Sequence, residues 1–412
     1  MTLHRWIEIA TLGSLAGIFF IFPIYTPQGA DFFAVAFFLL GSLLIDHRDI
    51  EVAHWTGRRP FVFACAAVIL ALPLIAGTCS VNGFKAQVGS GVYEAAAPAA
   101  LFLVASKARF RLVGPKGIER LILAAIFVGL IPATIFAFLV TAPPPARFYL
   151  PGQPALNIAA VYLSGMSAVT LTLTTNLTRH ARVIGYVAVC ALLVLGLLTA
   201  SRTFIVSTAV VFAAHVFNIH RRKVLLRETA AVIGVILAFT AASLFAFRGS
   251  LARLVEPQQF GFFDGRLQTW ADGLELFRRY PLCGIGHNAF HDETLNPLYV
   301  ERIEQGIPFA PFYHAHNVFL NTLADGGIIL GLLLAVLLAA AIYGCRLILK
   351  DDPENPFGLI AVTFLAMFFV IGMFENTMVR PVIFSLALFL GLGMNVTWRG
   401  RPSGLSPGAA RQ

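Results

Sequence analysis

Residues 318–343 read VFLNTLADGGIILGLLLAVLLAAAIY, an apolar run of membrane-span length interrupted by a single charge, Asp325. About 20 mostly apolar residues carry an α-helix across the hydrocarbon of a bilayer, whereas membrane strands would show shorter, alternating segments. Eleven further apolar runs lie near residues 6–25, 30–45, 61–78, 88–104, 121–140, 157–177, 184–200, 203–218, 229–247, 357–374 and 381–397. The whole 412-residue chain is 58% hydrophobic and 12% charged, with a mean hydropathy of +0.79. Soluble domains carry about 25% charged residues, so a soluble globule is excluded. The fold class is therefore all-α: a polytopic membrane protein of about twelve transmembrane helices with one large outer loop.

That loop sets the domain organisation. Residues 1–247 hold the first nine spans, 248–317 the long polar interruption with short helices of its own, and 318–397 the last three spans. Residues 398–412 are a short basic tail rich in Gly and Pro, expected to be disordered on the cytoplasmic side. Gly13 and Gly17 form a small-xxx-small pair that reads as helix packing.

The net charge of +9 does not point to a nucleic acid, because it is distributed by loop. Alternate connections hold Arg58 and Arg59, then Lys107, Arg109 and Arg111, then Arg221, Arg222 and Lys223, while the short connections between them hold only Lys85, Arg147, Arg202 and Arg380. The positive-inside rule then puts both termini in the cytoplasm and the long loop on the periplasmic side. The first apolar run continues through Pro23 and Pro27 into the second and reads as a retained span. Of the five cysteines, only Cys79 and Cys283 would meet an oxidising compartment; they can pair, and no role is assigned to them.

Within the loop, Asp264 can cap a helix that runs to about Tyr280 and is stopped by Pro281. Leu267, Trp270, Leu274 and Phe277 make one apolar stripe along it, a face for the membrane surface or neighbouring spans. Arg266 falls in its first turn, where free N–H groups and the helix dipole favour an anion such as phosphate. An ion pair with Asp264 or Glu256 is the competing reading. Arg202 lies between two apolar segments separated only by Ser201 and itself, which predicts a tight helical hairpin. A charge so placed is a functional hypothesis by default, against the alternative of snorkelling to the interface.

The loop ends in Tyr313-His314-Ala315-His316-Asn317. An extended backbone points His314 and His316 the same way, a neutral imidazole is a competent general base, and Asn317 is placed to cap the tenth span. A rival reading takes His287, His291, Asp292 and Glu293 with that pair as metal ligands, but the spacing matches no strong signature. Gly284-Ile285-Gly286-His287-Asn288-Ala289 fits G-x-G-x-x-A yet follows a helix with no βαβ unit around it, so dinucleotide binding is rejected. Neither a G-x-x-x-x-G-K-[ST] motif nor Asp-x-Asp occurs, which argues against ATP-driven and metal–nucleotide-sugar chemistry.

Three stretches resemble the O-antigen ligase family of the larger polysaccharide ligase and polymerase superfamily. They are Thr199-Ala200-Ser201-Arg202-Thr203; Gly265-Arg266-Leu267-Gln268-Thr269-Trp270 through Pro281-Leu282-Cys283-Gly284-Ile285-Gly286; and His314-Ala315-His316-Asn317 followed by Gly326, Gly327 and Gly331. The resemblance implies transfer of O-antigen from an undecaprenyl-pyrophosphate donor to a sugar hydroxyl of a lipid A-core acceptor. It places that reaction at the periplasmic face of the bacterial inner membrane, among membrane lipids, with no cofactor, metal or nucleotide. By the same resemblance His316 is the catalytic base and Arg202 and Arg266 bind pyrophosphate, while His314 and Asn317 are supporting residues. A polymerase of the same superfamily would use the same donor. A transporter of lipid-linked glycan would show charges along a mid-membrane path and repeats, whereas here Glu94, Glu375 and Arg380 gather toward the outer face and no repeat is seen.

Overall fold

The structure, a computed structural model, describes residues 3–21, 27–45, 75, 79–82, 88–140, 156–175, 177, 179–199, 201–221, 234, 264–287, 289–306, 314–375 and 379–395. Among them regular structure is helical throughout. Among the described residues, seven helices precede the loop: α1 (Leu3–Ile21), α2 (Pro27–Ser42), α3 (Val88–Lys107), α4 (Pro115–Val140), α5 (Leu156–Thr174), α6 (Arg179–Leu198) and α7 (Arg202–Arg221). Two short helices follow, α8 (Asp264–Arg279) and α9 (Pro297–Glu304), with a 3-10 turn at Ala289–His291 between them. Three more close the described chain: α10 (Val318–Asp351), α11 (Pro356–Gly372) and α12 (Val379–Gly393).

The apolar runs near 61–78 and 229–247 lie almost wholly outside the described residues, as do the start of the loop and the basic tail. Helices within 115–135, 181–198 and 318–351 are long and apolar enough to cross a membrane, and six shorter apolar helices accompany them. Their outward faces are apolar: Val183, Ile184 and Val187 of α6 and Ile131 and Ile135 of α4 are all exposed. Exposed aliphatic surface of this kind, on helices long and apolar enough to cross a bilayer, suits contact with lipid.

α5 is central. Every described side chain from Ala159 to Thr174 is buried, and the helix packs against α4, α6, α7 and α11. Small polar residues let it approach its neighbours closely, as is usual where apolar burial alone cannot drive helices together. Ser164 Oγ lies 2.6 Å from Ser207 Oγ and 3.1 Å from Thr208 Oγ1, joining α5 to α7. α6 and α7 form the expected hairpin: Thr199 closes α6 onto the Gly196 carbonyl, and the Phe204 N–H donates to the Ser201 carbonyl at 3.1 Å as α7 begins.

α10 carries a break that the run of leucines hides. Gly327 has φ 60° and ψ −157°, a conformation essentially reserved for glycine. The backbone groups released there are taken up by the segment after α8. Ile285 and Gly286 N–H donate to the Ala324 and Asp325 carbonyls at 2.9 and 2.8 Å, and Ile328 N–H donates to the Pro281 carbonyl at 2.8 Å. Gly284, with φ 63°, lies so close that an added Cβ would stand 2.4 Å from the Asp325 carbonyl carbon. Irregular backbone at a helix of this kind is tolerated where protein satisfies it, as here.

Cys79 and Cys283 are disulfide-bonded, so the pairing left open in the sequence is made. It pins the short connection at 79–82 to the same junction, and Asn82 Nδ2 donates to the Ile285 and Leu295 carbonyls at 2.6 and 2.8 Å. Around this junction sits a second, smaller core of Leu276, Ile285, Ala289, Phe290, Leu298, Ala315 and Ala324. α8 joins it by an unexpected face. Thr269, Asp272, Gly273 and Leu276 are buried, whereas Leu267 and Leu274 of the apolar stripe are exposed and Trp270 and Phe277 half-buried. The inward polar groups are satisfied: Asp272 accepts two hydrogen bonds from Arg302 of α9, at 2.6 and 2.9 Å, and a third from Gln268.

Candidate active site

The helix read from Asp264 to about Tyr280 is present as α8, ending at Arg279 ahead of Pro281. It brings Arg266 to the start of α10. Asn317 caps α10 as expected: its backbone is extended, and its side-chain oxygen accepts from Phe319 and Leu320 N–H at 3.0 and 3.1 Å. That satisfies two of the donors a helix start leaves open.

One residue earlier, His316 has φ 49°, a left-handed conformation costing roughly 1–2 kcal/mol for a residue with a Cβ. The preceding peptide is clamped to hold it. Ala315 N–H donates to Asn321 Oδ1 at 3.1 Å, and its carbonyl accepts from Thr269 Oγ1 of α8 at 3.3 Å. Asn321 is in turn fixed by donating to Asp325 Oδ2 at 2.8 Å. Strain maintained by so many contacts is a mark of a functional position. Its result is that the His314 and His316 rings lie together, centroids 4.4 Å apart, and both approach one carboxylate.

That carboxylate is Glu375, three residues beyond the end of α11 and 2% exposed. Its Oε2 lies 3.2 Å from His316 Nδ1 and 3.9 Å from His314 Nε2, while Oε1 accepts a charge-assisted hydrogen bond from Arg266 Nη2 at 3.0 Å. Burial alone would raise its pKa. The two histidines and the Arg266 guanidinium outweigh burial and hold the carboxyl down at about 2, so it is ionised at any physiological pH.

The sequence named most of this group and missed its centre. Arg266, His314 and His316 all approach one carboxylate, and that carboxylate is Glu375, in place of the Asp264 or Glu256 weighed in the sequence as the partner of Arg266. The charge beside both imidazoles is this same carboxylate. One signal was available: a lone acid at the end of an apolar run is worth suspecting as functional. Arg202 opens α7, which packs against α11, the helix leading to Glu375; the Arg202 side chain lies outside the described residues.

His314, His316 and Glu375 each offer a ligand atom within 4.8 Å of the others, a donor set that could hold a cation. Here the positive charge against the carboxylate is the Arg266 guanidinium. The alternative metal set around His287 and His291 includes a side chain, that of His291, outside the described residues.

The arrangement defines a class: a helical membrane protein with a buried carboxylate shared between a guanidinium and an imidazole where its helices end. Residues 186–336 match the O-antigen ligase family, so the resemblance is borne out over a stretch that contains Arg202, Arg266, His314, His316 and Asn317. The chain is also similar to the exopolysaccharide production protein ExoQ of Rhizobium meliloti (strain 1021), with 27% identity over 153 residues, 35% of each chain. The match thus spans about a third of that relative. Together these findings support the superfamily of O-antigen ligases and polymerases.

Proposed function

We propose that this protein is a glycosyltransferase that moves O-antigen polysaccharide from undecaprenyl pyrophosphate to a sugar hydroxyl of lipid A-core. The reaction takes place on the periplasmic face of the inner membrane without metal or nucleotide. The observation that carries this reading is the convergence of Arg266, Glu375 and His316 at the ends of membrane helices, inside and beside the family-matched stretch. The Cys79–Cys283 bridge beside the site supports a compartment outside the cytosol, because structural disulfides persist in oxidising surroundings.

The chemistry needs little else. An anomeric carbon attached to diphosphate is already activated, so the protein has to orient the acceptor, remove its proton and stabilise the departing charge. With Nδ1–H donated to Glu375, His316 presents Nε2 as the base. The acceptor hydroxyl gives its proton to Nε2 while its oxygen attacks the anomeric carbon. The bond from that carbon to the diphosphate oxygen breaks, and the electron pair leaves with the diphosphate. Arg202 and Arg266 hold that group, as guanidinium suits phosphate through paired, permanently charged donors. Displacement from the opposite side inverts the anomeric centre.

The similarity to an exopolysaccharide production protein favours one second reading, a polymerase that extends a lipid-linked glycan with the same site. Purified protein with lipid-linked polymer and rough lipopolysaccharide, in the presence of chelator, tests both. Polymer joined to core supports the ligase. Elongated lipid-linked glycan with bare core supports the polymerase, and no product from either substrate refutes the enzyme.

A further inference from the structure

The Glu375 backbone is fixed by the turn in which it lies. It sits in the turn that closes α11, where the Phe374 and Glu375 N–H groups both donate to the Ile371 carbonyl at 2.9 Å. Its side chain is 2% exposed, covered by the groups that bind it. The two partners use different oxygens, Arg266 at Oε1 and the histidines at Oε2. Both partners have a face turned outward: the Arg266 side chain is 16% exposed and that of His316 28%. Both side chains can thus be reached by a group from outside, while the carboxylate they share is covered.

We propose that Glu375 is a positioning residue that couples donor binding to the strength of the base, by being shared between Arg266 and His316 until diphosphate draws Arg266 away. This rests on the glycosyl-transfer reading. Before the donor arrives, one guanidinium neutralises one carboxylate. A diphosphate competes for that guanidinium with more negative charge and with oxygens matched to its paired donors. Once Arg266 turns to the diphosphate, the carboxylate is left to the imidazole, where it favours the charge His316 acquires on taking the acceptor proton. His316 is thereby made a better base when a leaving group is in place, and a poorer one while the site is empty. No atom is exchanged with Glu375: the acceptor proton goes to His316 Nε2, and from there to the departing diphosphate or to water.

The consequence is a pair of opposed effects that a scaffold residue would not produce. Glu375→Gln keeps the volume and hydrogen-bonding reach but removes the charge. It should slow transfer at saturating donor about 100-fold, near the low end of what a general base contributes. The same variant should bind a polyprenyl diphosphate about threefold to tenfold more tightly, because the Glu375 carboxylate no longer competes for Arg266. With Arg266→Gln already present, Glu375→Gln should give no gain in that affinity. Binding is read by isothermal titration in detergent and transfer with the purified lipid-linked polymer. Turnover within threefold of the wild type, or a joint loss of affinity, turnover and melting temperature, overturns the proposal. Should the glutamine variant not remain monodisperse, Glu375→Asp, which withdraws the carboxylate from both partners, must show the same opposed signs. If the wild type fails to transfer sugar at all, the glycosyl-transfer reading falls, while the affinity arm still reports on the competition at Arg266.

Discussion

Replacing Gly327 by alanine adds one methyl group at a point where two pieces of backbone touch. An added Cβ would stand 2.4 Å from the carbonyl carbon and oxygen of Leu282 and 2.7 Å from the Cys283 nitrogen. None of these is a flexible side-chain end, so the segment at 281–286 must move. The backbone conformation, φ 60° and ψ −157°, costs a residue with a Cβ roughly 1–3 kcal/mol by itself. Moving the segment also weakens the hydrogen bonds from Ile328 and Ile329 to the Pro281 and Leu282 carbonyls, each worth about 1 kcal/mol net. The sum is about 3–5 kcal/mol. Gly326→Ala is the comparison: the three atoms nearest its added Cβ, at 2.0–2.6 Å, all belong to the Leu330 side chain and none to backbone, and its φ is ordinary. Its cost should be about 1–3 kcal/mol, the scale of fitting extra volume by shifting a side chain. Unfolding of both variants in mixed detergent micelles, followed by intrinsic fluorescence against the wild type, measures the difference. If Gly327→Ala lies within about 0.5 kcal/mol of the wild type, or Gly326→Ala is the worse of the two, the junction does not hold α10 as described.

His316→Ala, Arg202→Ala and Arg266→Ala should each abolish transfer in the reconstituted assay while the proteins still elute as folded species; normal turnover by purified His316→Ala protein would remove the base assignment. Glu375 should make the protein acid-sensitive in a defined window. Its carboxyl is held below the ordinary 4.5 at about 2, so its stabilisation is complete above about pH 4.5 and is lost as pH falls toward 2. That displacement corresponds to about 3 kcal/mol, and melting curves of Glu375→Gln protein should lack this part of the acid loss. Cys79→Ser and Cys283→Ser should each cost activity and convert the non-reduced protein to the electrophoretic mobility of the reduced one, and a double variant should be no worse than either single one.

Helices were legible wherever one physical signal acted alone. Continuous apolar runs gave apolar helices among the described residues, Pro281 gave the end of α8, and Asn317 gave the start of α10, because each depends on the residue and its immediate neighbours. The break at Gly327 was not legible, since the apolar run passes through it unchanged and Gly326 beside it looks the same in sequence. The buried face of α8 was misread for a different reason. Beside a membrane, apolar residues need not turn inward, and Thr269 and Asp272 can be buried because Ala315, Gln268 and Arg302 satisfy them. Glu375 escaped because its significance lies in partners 109 and 59 residues away, Arg266 and His316, a proximity that only tertiary packing creates.

The bridge between Cys79 and Cys283 imposes an order on manufacture. The first thiol leaves the ribosome 204 residues ahead of the second, so the junction that steadies the reactive end cannot be locked while most of the chain is still unwritten. Glu375 follows both cysteines and is supplied later again. A nascent or truncated chain that stops short of Glu375 therefore carries its arginine and histidines without the acid that links them, and competence waits for that residue.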